Sequence, residues 1–296
     1  MRNVAVIGAD GFLGTYVRFE FADRQALGED VGGIGLDLPD FDVRWPKEIL
    51  LNILAERQVD GIINLAGLLG THELFDNVEQ AIKVNIKGQY SVAWAATQME
   101  IPYVTIEQPH VWTNPYETTR GAGIRLARGL ATHQGLRLAT VQAFNAFGPG
   151  QAYGPGHPQK IVPTLSVHAW NKAPLPIYGS GAQYVNLVHA KDIAAILVSA
   201  LSHADTNPPH FYGAARGGNM TVNKVASMVQ RFVQGQDWID TSERLEMRAG
   251  EDDDDLGASM PELQLGEQGK LLGVHPRFRI QDFNKTVESY EGVPLA

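Results

Sequence analysis

Several residue types and segments are missing from this chain of 296 residues, and each absence excludes a class of function. The sequence contains no cysteine, so disulfides, thiolate metal sites and cysteine nucleophiles are excluded. Its formal net charge of -9 argues against a nucleic-acid-binding surface, which requires clustered lysine and arginine. One or two well-placed cations would still be enough to bind a phosphate-containing substrate.

Long apolar segments are missing as well. No stretch approaches the ~18–20 uninterrupted apolar residues that a membrane-spanning helix needs. The first residues, "MRNVAVIGAD", run directly into glycines and lack the long apolar run and cleavage site of a signal peptide. We therefore expect a soluble cytoplasmic protein without a membrane partner. With 44% hydrophobic residues, the chain can form a full core.

The first half of the chain alternates short β-rich runs with helical patterns. Strand candidates such as "NVAVIG" (3–8) are nearly continuous apolar runs, which are typical of a parallel sheet covered on both faces. From Gly148 the sequence "GPGQAYGPGHPQ" predicts a loop, because it is rich in glycine and proline. We predict an α/β fold with a Rossmann-type doubly wound parallel sheet over 1–150, including strand and helix contributions from about 180–202. Residues 151–296 are predicted to form a smaller carboxy-terminal substrate-binding lobe.

A glycine-rich loop follows the first strand and opens the first helix. In "VAVIGADGFLGTYV", Gly8, Gly11 and Gly14 suit a tight turn, close approach to a pyrophosphate and close packing of helix on strand. The N–H groups at the helix start then face the anion. Asp37 ends the second strand and can accept hydrogen bonds from both hydroxyls of an adenosine ribose. The pattern predicts NAD rather than NADP, because Asp37 would repel a 2′-phosphate and no arginine follows it immediately. The alternative is that Asp37 is a turn residue.

Several segments together resemble the extended short-chain dehydrogenase/reductase family, the group of NAD-dependent nucleotide-sugar epimerases and dehydratases. "GADGFLG" is similar to the cofactor loop of that family, and "NLAG" (64–67) to the segment under its cofactor. "VNIKGQYSVAWAA" (84–96) is similar to the helix with its structural asparagine, here Asn85. "FNAFGPGQ" (144–151) resembles its substrate-side loop, and "LPIYGSGAQYVNLVHAKDIA" (175–194) its nucleotide-binding hairpin and following helix. The order and spacing of these motifs extend over nearly the whole chain.

The resemblance implies a set of cofactor-binding residues. They are Gly8, Asp10, Gly11, Phe12, Leu13, Gly14, Asp37, Leu38, Asp42, Val43, Leu65, Ala66, Gly67, Asn85, Ile106, Tyr116, Arg120 and Phe144. Asp42 and Val43 are expected at the adenine edge. The implied substrate-binding residues are Leu69, Thr71, Asn145, Val162, Tyr178 and Arg248. Thr71 has a second interpretation, as the cap of a short helix.

The catalytic positions that the resemblance implies are altered in this sequence. The family places a tyrosine and, four residues later, a lysine beside the nicotinamide, and in "NPYETTRGAG" these places hold Tyr116 and Arg120. A free phenol has a pKa of ~10, and a neighbouring cation lowers it by favouring the phenolate. Arg120 keeps a permanent charge and can donate to ribose hydroxyls, but its planar head differs in shape from an ammonium. We predict Tyr116 as the base, supported by Arg120; packing at the helix start is the alternative role for Tyr116.

The catalytic serine or threonine of the family is also replaced. Gln108 takes its position, and a glutamine amide can donate to a sugar oxygen but cannot relay a proton. Where the family's dehydratases carry an Asp-Glu pair, this chain has a proline and His110. Glu107 is therefore predicted as a base and His110 as an acid, with a loop-shaping histidine as the alternative. Val185 replaces a phosphate-binding arginine of the hairpin, which leaves Arg248 for the phosphate.

Three functions stay open from the sequence. The first is an NAD-dependent nucleotide-sugar epimerase or dehydratase that acts through a transient 4-keto sugar, favoured by Tyr116, the glycines and Asp37. The second is a pseudoenzyme that binds NAD or a nucleotide sugar, favoured by the missing serine, lysine and hairpin arginine; the third is a reductase that uses NAD(H) as a co-substrate. The resemblance also implies a homodimer formed by helices 78–100 and 116–134. The acidic run "EDDDD" (251–255) is interpreted as a solvated loop, with metal binding as the alternative, and no metal is predicted.

Overall fold

The computed structural model of the protein describes most of the chain. The described residues are 1–70, 73–109, 113–235, 244–245 and 262–296. Three residues predicted for the site lie outside these ranges: Thr71, His110 and Arg248. The acidic run at 251–255 also lies outside them, so the interpretations of these positions stay predictions.

A six-stranded parallel sheet forms the centre of the fold. Its strands are β1 (Val4–Ile7), β2 (Gly33–Leu36), β3 (Gly61–Asn64), β4 (Tyr103–Glu107), β5 (Leu138–Ala143) and β9 (His210–Gly213). Their spatial order is β2-β1-β3-β4-β5-β9, and every pairing is parallel. The direction of strand order reverses between β1 and β3, and open sheets of this kind bind ligands outside the carboxyl ends of the strands at such a point. The predicted doubly wound α/β fold is confirmed.

Helices cover both faces of this sheet. They are α1 (Phe12–Ala26), α2 (Lys47–Glu56), α4 (Gln89–Gln98), α5 (Pro115–Gln134) and α7 (Ala190–Ala200), and the short α3 (Val78–Ala81) precedes α4. In β1, Val4 and Val6 belong to the core cluster that includes residues of α1 and α7. Ala5 and Ile7 belong to the cluster on the other face, which includes residues of α2, α4 and α5. The strand is apolar at every position because both of its faces are buried.

The helix predicted over 78–100 is not one regular α-helix. A seven-residue π-helical stretch, Ile82–Gly88, joins α3 to α4. Within it, the buried Asn85 accepts a hydrogen bond from the Leu68 backbone N–H at 2.8 Å and donates one to the Leu68 carbonyl at 3.0 Å. Stretches of π-helix are rare in proteins, and those that do occur are often found at functional sites. Here the stretch ties the helix to the loop after β3, a long-range contact that helical periodicity does not reveal.

The second part of the chain forms a smaller layer with its own core. Its strands are β6 (Asn145–Phe147), β7 (Ile177–Tyr178), β8 (Tyr184–His189), β10 (Asn219–Thr221) and β11 (Arg244–Leu245). Its helices are α6 (Ile161–Trp170), α8 (Val222–Gln234), α9 (Glu262–Leu272) and α10 (Ile280–Glu288), and short 3₁₀ turns occur at Glu73–Phe75 and Leu201–His203. One sheet has the order β10-β8-β6, and the other pairs β11 with β7. A separate hydrophobic cluster that includes Phe147, Leu165 and Phe283 packs α6, α8 and α10 together.

The segment at about 180–202 contributes its helix, but not its strand, to the main sheet. The helix expected from about 180–202 is α7, which packs on the main sheet. The strand of that segment, β8, joins the three-stranded sheet instead, and the main sheet receives β9. Gln268 of α9 covers the outer edge of β9 by binding both the N–H and the carbonyl of Tyr212. β9 is hard to recognise in sequence because "HFYG" is not a continuous apolar run and begins with an exposed histidine. The division at residue 150 stays a prediction.

The longest described helix is α5, with 20 residues. None of the helices in the described ranges combines the length and the apolar character that crossing a bilayer requires. Within the same ranges, no group of three or more His, Asp or Glu side chains could hold a metal ion.

Candidate active site

The glycine-rich loop between β1 and α1 lies where the strand order reverses. Gly8 has a φ of +82°, which favours glycine, and a Cβ at this position would lie 2.9 Å from the backbone nitrogen of Ala66. A Cβ on Gly14 would overlap the carbonyl oxygen of Gly8, so α1 can pack this closely on the loop only without a side chain there. α1 begins after Gly11, and no side chain in the described ranges caps its first N–H groups. These groups are available to an anion.

The predicted ribose ligand, Asp37, reaches the same loop. Its Oδ2 accepts a hydrogen bond from the Asp10 N–H at 2.8 Å, and its Oδ1 accepts one from the Leu38 N–H at 2.8 Å. An ionised carboxylate has about four acceptor positions, so capacity remains for two ribose hydroxyls. The arrangement fits the interpretation of Asp37 as a ligand of an adenosine ribose.

The residues predicted at the adenine edge have partners within the protein. Asp42 forms an ion pair with Arg44 at 2.6 Å, and the hydrogen bonds from Arg44 lower the pKa of Asp42. Val43 is buried against Gly88, where a Cβ would lie only 2.7 Å from a Val43 methyl group. The side chain of Val43 therefore supports the site from within the core.

The predicted catalytic pair lies at the start of α5. Asn114 caps this helix by accepting a hydrogen bond from the Glu117 N–H at 3.0 Å, and Pro115 fills the first helical position. Gln108, the residue after β4, donates a hydrogen bond to the Glu117 carbonyl at 3.3 Å. The first turn of α5, with Tyr116, is thereby held against the carboxyl end of β4.

Arg120 is almost completely buried, with 1% of its surface exposed. We refer to the region at the carboxyl end of β4 that holds Tyr116 and Arg120 as the Tyr116–Arg120 edge. Its Nη1 donates to the Ala66 carbonyl at 2.7 Å and its Nε to the Ile106 carbonyl at 3.3 Å. Longer contacts reach Gln89 Oε1 at 3.4 Å and Thr105 Oγ1 at 3.5 Å. All these acceptors are neutral, and Arg120 has no carboxylate partner in the described part of the chain. Its charge therefore favours a negative charge nearby.

Two features of the surroundings of Tyr116 shift the pKa of its hydroxyl in opposite directions. Burial raises the pKa of Tyr116 above its usual value of 10.0, and the charge of Arg120 opposes this shift. The net direction is upward, so Tyr116 is a neutral phenol at neutral pH and can donate its proton. The sequence implied that Arg120 donates to ribose hydroxyls, whereas its N–H groups bind protein acceptors here.

A buried polar network lies beneath Arg120. Asn64 Nδ2 donates to Gln89 Oε1 at 3.1 Å and to the Tyr103 hydroxyl at 2.9 Å, and Gln89 Nε2 donates to Thr105 Oγ1 at 2.9 Å. Burial raises the pKa of Tyr103 to about 12. Sequence reasoning did not identify these four residues as part of the site. The only signal was a polar residue within an apolar run, as in "GIIN" and "YVTIE".

The other residues predicted for proton transfer have specific surroundings. Glu107 Oε2 pairs with Arg128 Nη2 at 2.8 Å and lies 3.6 Å from His210 Nδ1. Since this carboxylate is already paired with a cation, its geometry does not favour the role of a general base. Gln108 Oε1 is buried and has no hydrogen-bond partner in the described ranges. Buried acceptors are rarely left unpaired, so this atom is a candidate ligand contact.

The predicted substrate residues are not equally accessible. Leu69 and Asn145 are exposed, and the Tyr178 hydroxyl donates to Gln159 at 3.1 Å. Val162 is 1% exposed and belongs to the core cluster of the second part, so its side chain is not available to a ligand. Phe144, predicted to contact the cofactor, joins β5 to β6, and its N–H binds the Gly213 carbonyl at 3.0 Å.

Comparison with known proteins decides the family. Residues 4–215 match the model of the NAD dependent epimerase/dehydratase family. The chain belongs to this family. The match includes the glycine-rich loop, the Tyr116–Arg120 edge and β9, and membership in the NAD dependent epimerase/dehydratase family supports NAD as the cofactor. The roles of individual residues stay predictions.

Similar proteins agree with this assignment. The chain is 24% identical over 285 residues to the low-salt glycan biosynthesis protein Agl12 of Haloferax volcanii, which covers 84% of this chain and 88% of that protein. It is 26% identical over 246 residues to UDP-glucose 4-epimerase of Lacticaseibacillus casei, and the match covers 69% of this chain and 72% of that protein. Its structure resembles the dTDP-glucose 4,6-dehydratase DesIV of Streptomyces venezuelae with NAD and TYD bound, with a TM-score of 0.80, 20% identity and coverage of 98% and 97%. It also resembles UDP-glucose 4-epimerase of Thermus thermophilus in complex with NAD, with a TM-score of 0.76, 17% identity and coverage of 98% and 99%.

Proposed function

We propose that this chain binds NAD in the glycine-rich loop and acts on a nucleotide sugar, as an epimerase or a dehydratase. The observation that carries the proposal is the buried charge of the Arg120 guanidinium, which has no carboxylate partner in the described ranges and acts on the Tyr116 hydroxyl. Membership in the epimerase/dehydratase family supports this reaction class. Relatives named dTDP-glucose 4,6-dehydratase and UDP-glucose 4-epimerase support a nucleotide sugar as the substrate.

The residues of the loop fit NAD. Gly8 and Gly14 allow the close backbone approach, and the N–H groups of Phe12 and Leu13 would hold the pyrophosphate at the start of α1. Asp37 would hold the ribose hydroxyls. When bound, NAD accepts a hydride from a carbon of the sugar and returns it.

Tyr116 would exchange a proton with the reacting hydroxyl of the sugar. Because burial raises the pKa of Tyr116, the resting form is the neutral phenol, which must first lose its proton to solvent. The phenolate would then take the proton of the sugar hydroxyl as that hydroxyl is oxidised, and the phenol would return it when the ketone is reduced. Arg120 would stabilise the intervening phenolate through its charge, since its N–H groups already bind the carbonyls of Ala66 and Ile106. The sugar passes through a transient ketone at C4, which acidifies neighbouring positions and permits epimerisation or loss of water.

Gln108 would accept a hydrogen bond from a sugar hydroxyl. The bond from Nε2 to the Glu117 carbonyl sets the orientation of the amide, so Oε1 is left as the unpaired acceptor. An unsatisfied buried acceptor costs about 1–3 kcal/mol, and a hydroxyl of the substrate would relieve this penalty. An acceptor of this kind holds an alcohol in place, whereas the hydroxyl of a serine or threonine can also donate to a ketone.

The test combines a substrate panel with one variant and its control. Purified protein is incubated with NAD and UDP-, GDP- and dTDP-sugars, and products are analysed by mass spectrometry and proton NMR. Loss of one water indicates a dehydratase, and an isobaric product with changed ring couplings indicates an epimerase. We expect Tyr116→Phe to reduce turnover by about 10²–10⁴-fold, the usual contribution of general acid–base catalysis, with NAD affinity within about twofold.

Tyr90→Phe is the matched control, because this tyrosine lies on α4 beside Lys47 and has no proposed role. It should leave turnover unchanged. Full activity of Tyr116→Phe would contradict the assigned role of Tyr116. Stoichiometric consumption of NADH with a reduced product would indicate the reductase instead.

A binding protein without chemistry is the second candidate. It is favoured by the N–H groups of Arg120, which bind protein carbonyls, and by Val185 at the place of the hairpin arginine. In that case NAD still binds, no member of the panel is converted, and Tyr116→Phe changes nothing.

The proposal includes the homodimer expected from helices 78–100 and 116–134. Exposed apolar side chains lie on these segments, with Ile82 at 45% and Leu126 at 44% exposure. A second copy would cover them. Sedimentation at micromolar concentration should give twice the chain mass of 32.3 kDa, and a monomer would contradict the dimer. A cytoplasmic location stays a prediction.

A further inference from the structure

Two acid–arginine pairs involve the loops that follow β1 and β2, and the second of these loops begins with Asp37. Asp10 Oδ1 accepts a hydrogen bond from Arg18 Nη1 at 3.1 Å, and Asp42 pairs with Arg44 at 2.6 Å. Asp37 itself has no cationic partner in the described ranges and accepts only backbone N–H groups. The proposed ribose position therefore carries a single uncompensated carboxylate, while two arginines nearby are each engaged by another acid.

Arg18 is connected to Asp37 through Asp10. Its side chain lies over β2, where a Cβ on Gly35 would be 3.6 Å from the Arg18 Cδ, two residues before Asp37. Side chains of a helix point towards its amino terminus, so the guanidinium reaches from the second turn of α1 up to the loop. There it meets Asp10, whose own N–H binds Asp37 Oδ2 at 2.8 Å. The three residues form a contiguous row at the ribose end of the loop.

We propose that Asp10 sets the preference for NAD over NADP by holding Arg18 in an ion pair, an inference that rests on the proposed cofactor site. NADP differs from NAD by a phosphate on the 2′-hydroxyl of the adenosine ribose, the group that Asp37 would bind. Asp10 and Asp37 both repel that phosphate. Arg18 is the cation that could bind it, and Asp10 neutralises this cation and directs it towards the loop.

Arg44 is a weaker candidate for the same role. Its Nε and Nη2 both bind the Asp42 carboxylate, and the Asp42 Oδ1 also accepts the Arg44 backbone N–H. The Asp42 side chain is only 13% exposed, whereas Asp10 is 71% exposed. The Arg18–Asp10 contact is a single hydrogen bond in solvent, so it is the pair that one substitution can release.

The experiment measures dissociation constants for NAD and NADP by isothermal titration calorimetry. The proteins are the wild type, Asp10→Asn, Arg18→Met and the double variant. We expect the wild type to prefer NAD and Asp10→Asn to lower the ratio of the NADP constant to the NAD constant by about tenfold, as one charge-assisted contact to the 2′-phosphate would do. Arg18→Met alone should leave the ratio within about twofold of wild type, because Arg18 is already neutralised.

The double variant separates the loss of the Asp10 charge from the release of Arg18. If Arg18 binds the phosphate, Arg18→Met in the Asp10→Asn background removes most of the gain. Asp30→Asn is the matched control, since it also releases an exposed arginine, Arg2, from a 2.7 Å ion pair at the opposite end of β1. It should leave both constants unchanged.

Two results would overturn the inference: a ratio in Asp10→Asn within twofold of wild type, or an equal gain in the single and double variants. A wild type that binds neither nucleotide would overturn the inference together with the proposed cofactor site. Failure of the sugar panel with an intact selectivity shift would overturn the proposed enzymatic function alone.

Discussion

The glycine-rich loop and the Tyr116–Arg120 edge lie at the same end of the sheet but are held in different ways. The loop depends on close backbone approaches, such as that of Gly14 to the Gly8 carbonyl. The edge depends on side chains from several elements that converge on one guanidinium, which binds the carbonyls of Ala66 and Ile106.

The difference explains why one region keeps its sequence pattern and the other departs from it. A backbone approach without room for a Cβ admits only glycine. A polar network admits any side chain that satisfies the same acceptors, so an arginine can replace a lysine by turning towards carbonyl oxygens. Because the N–H groups of Arg120 bind the carbonyls of Ala66 and Ile106, we propose that this residue acts through its charge and supports the loop after β3.

The strongest test of this comparison is Gly14→Ala. The added Cβ would overlap backbone atoms of Gly8 and Ala9, which cannot move aside as a side chain does. We expect the free energy of unfolding to fall by about 3 kcal/mol and NAD binding to be lost. Urea unfolding and calorimetric titration measure the two effects.

The control is Gly129→Ala, where a Cβ meets nothing within 4 Å in the described structure. Since Gly129 lies inside α5, alanine should stabilise the protein by up to ~1 kcal/mol. Equal destabilisation at both positions would show that steric exclusion is not what distinguishes the loop.

Arg120→Met tests the edge and should have the next largest effect. Methionine fills part of the space but leaves the partly buried carbonyls of Ala66 and Ile106 without these donors. We expect a loss of about 2–3 kcal/mol in the free energy of unfolding, measured by urea denaturation. Arg128→Met in the same helix is the control, because its ion pair with Glu107 is 43% exposed on the arginine side and should contribute about 1 kcal/mol or less. A larger loss at Arg128 than at Arg120 would contradict the importance of the buried network.

His189 lies outside both regions, and we expect it to have a smaller effect, a pH dependence of the free energy of unfolding. Its Nδ1 accepts the Lys191 N–H at 3.1 Å at the start of α7, and burial followed by the charge of Lys191 lowers the pKa of His189 to about 4. Its usual value is 6.5. The unfolded chain therefore binds a proton before the folded chain does, so the stabilisation is complete above pH 6.5 and is lost as the pH falls towards 4.

We expect this histidine to contribute a loss of roughly 2 kcal/mol between pH 7 and pH 4. His189→Asn keeps a side-chain acceptor for the helix start but does not titrate, so its unfolding free energy should change less over this interval. Chemical denaturation at both pH values measures the difference. An identical pH dependence in the two proteins would assign the acid sensitivity to other groups.

Local patterns were enough to predict strands β1 to β5 of the main sheet and the glycine-rich loop. Apolar runs of four to six residues, alternating with amphipathic segments, predict buried parallel strands because both faces must be covered. The glycines of "GADGFLG" and the acid at position 37 could be located because their roles depend on near neighbours in sequence. The helix over 116–134 was predicted for the same reason, and the structure adds its cap at Asn114.

Tertiary structure decided the rest. The direction of the Arg120 guanidinium depends on the carbonyls of Ala66 and Ile106, which are 54 and 14 residues away. The pairing of Glu107 with Arg128, the burial of Val162 and the place of β9 beside β5 likewise depend on elements that are distant in sequence. The sequence by itself determined which backbone positions must lack a side chain, since steric exclusion acts through residue type alone. Which polar atoms meet is a property of the packed molecule, because hydrogen bonds and ion pairs need partners that only the fold brings together.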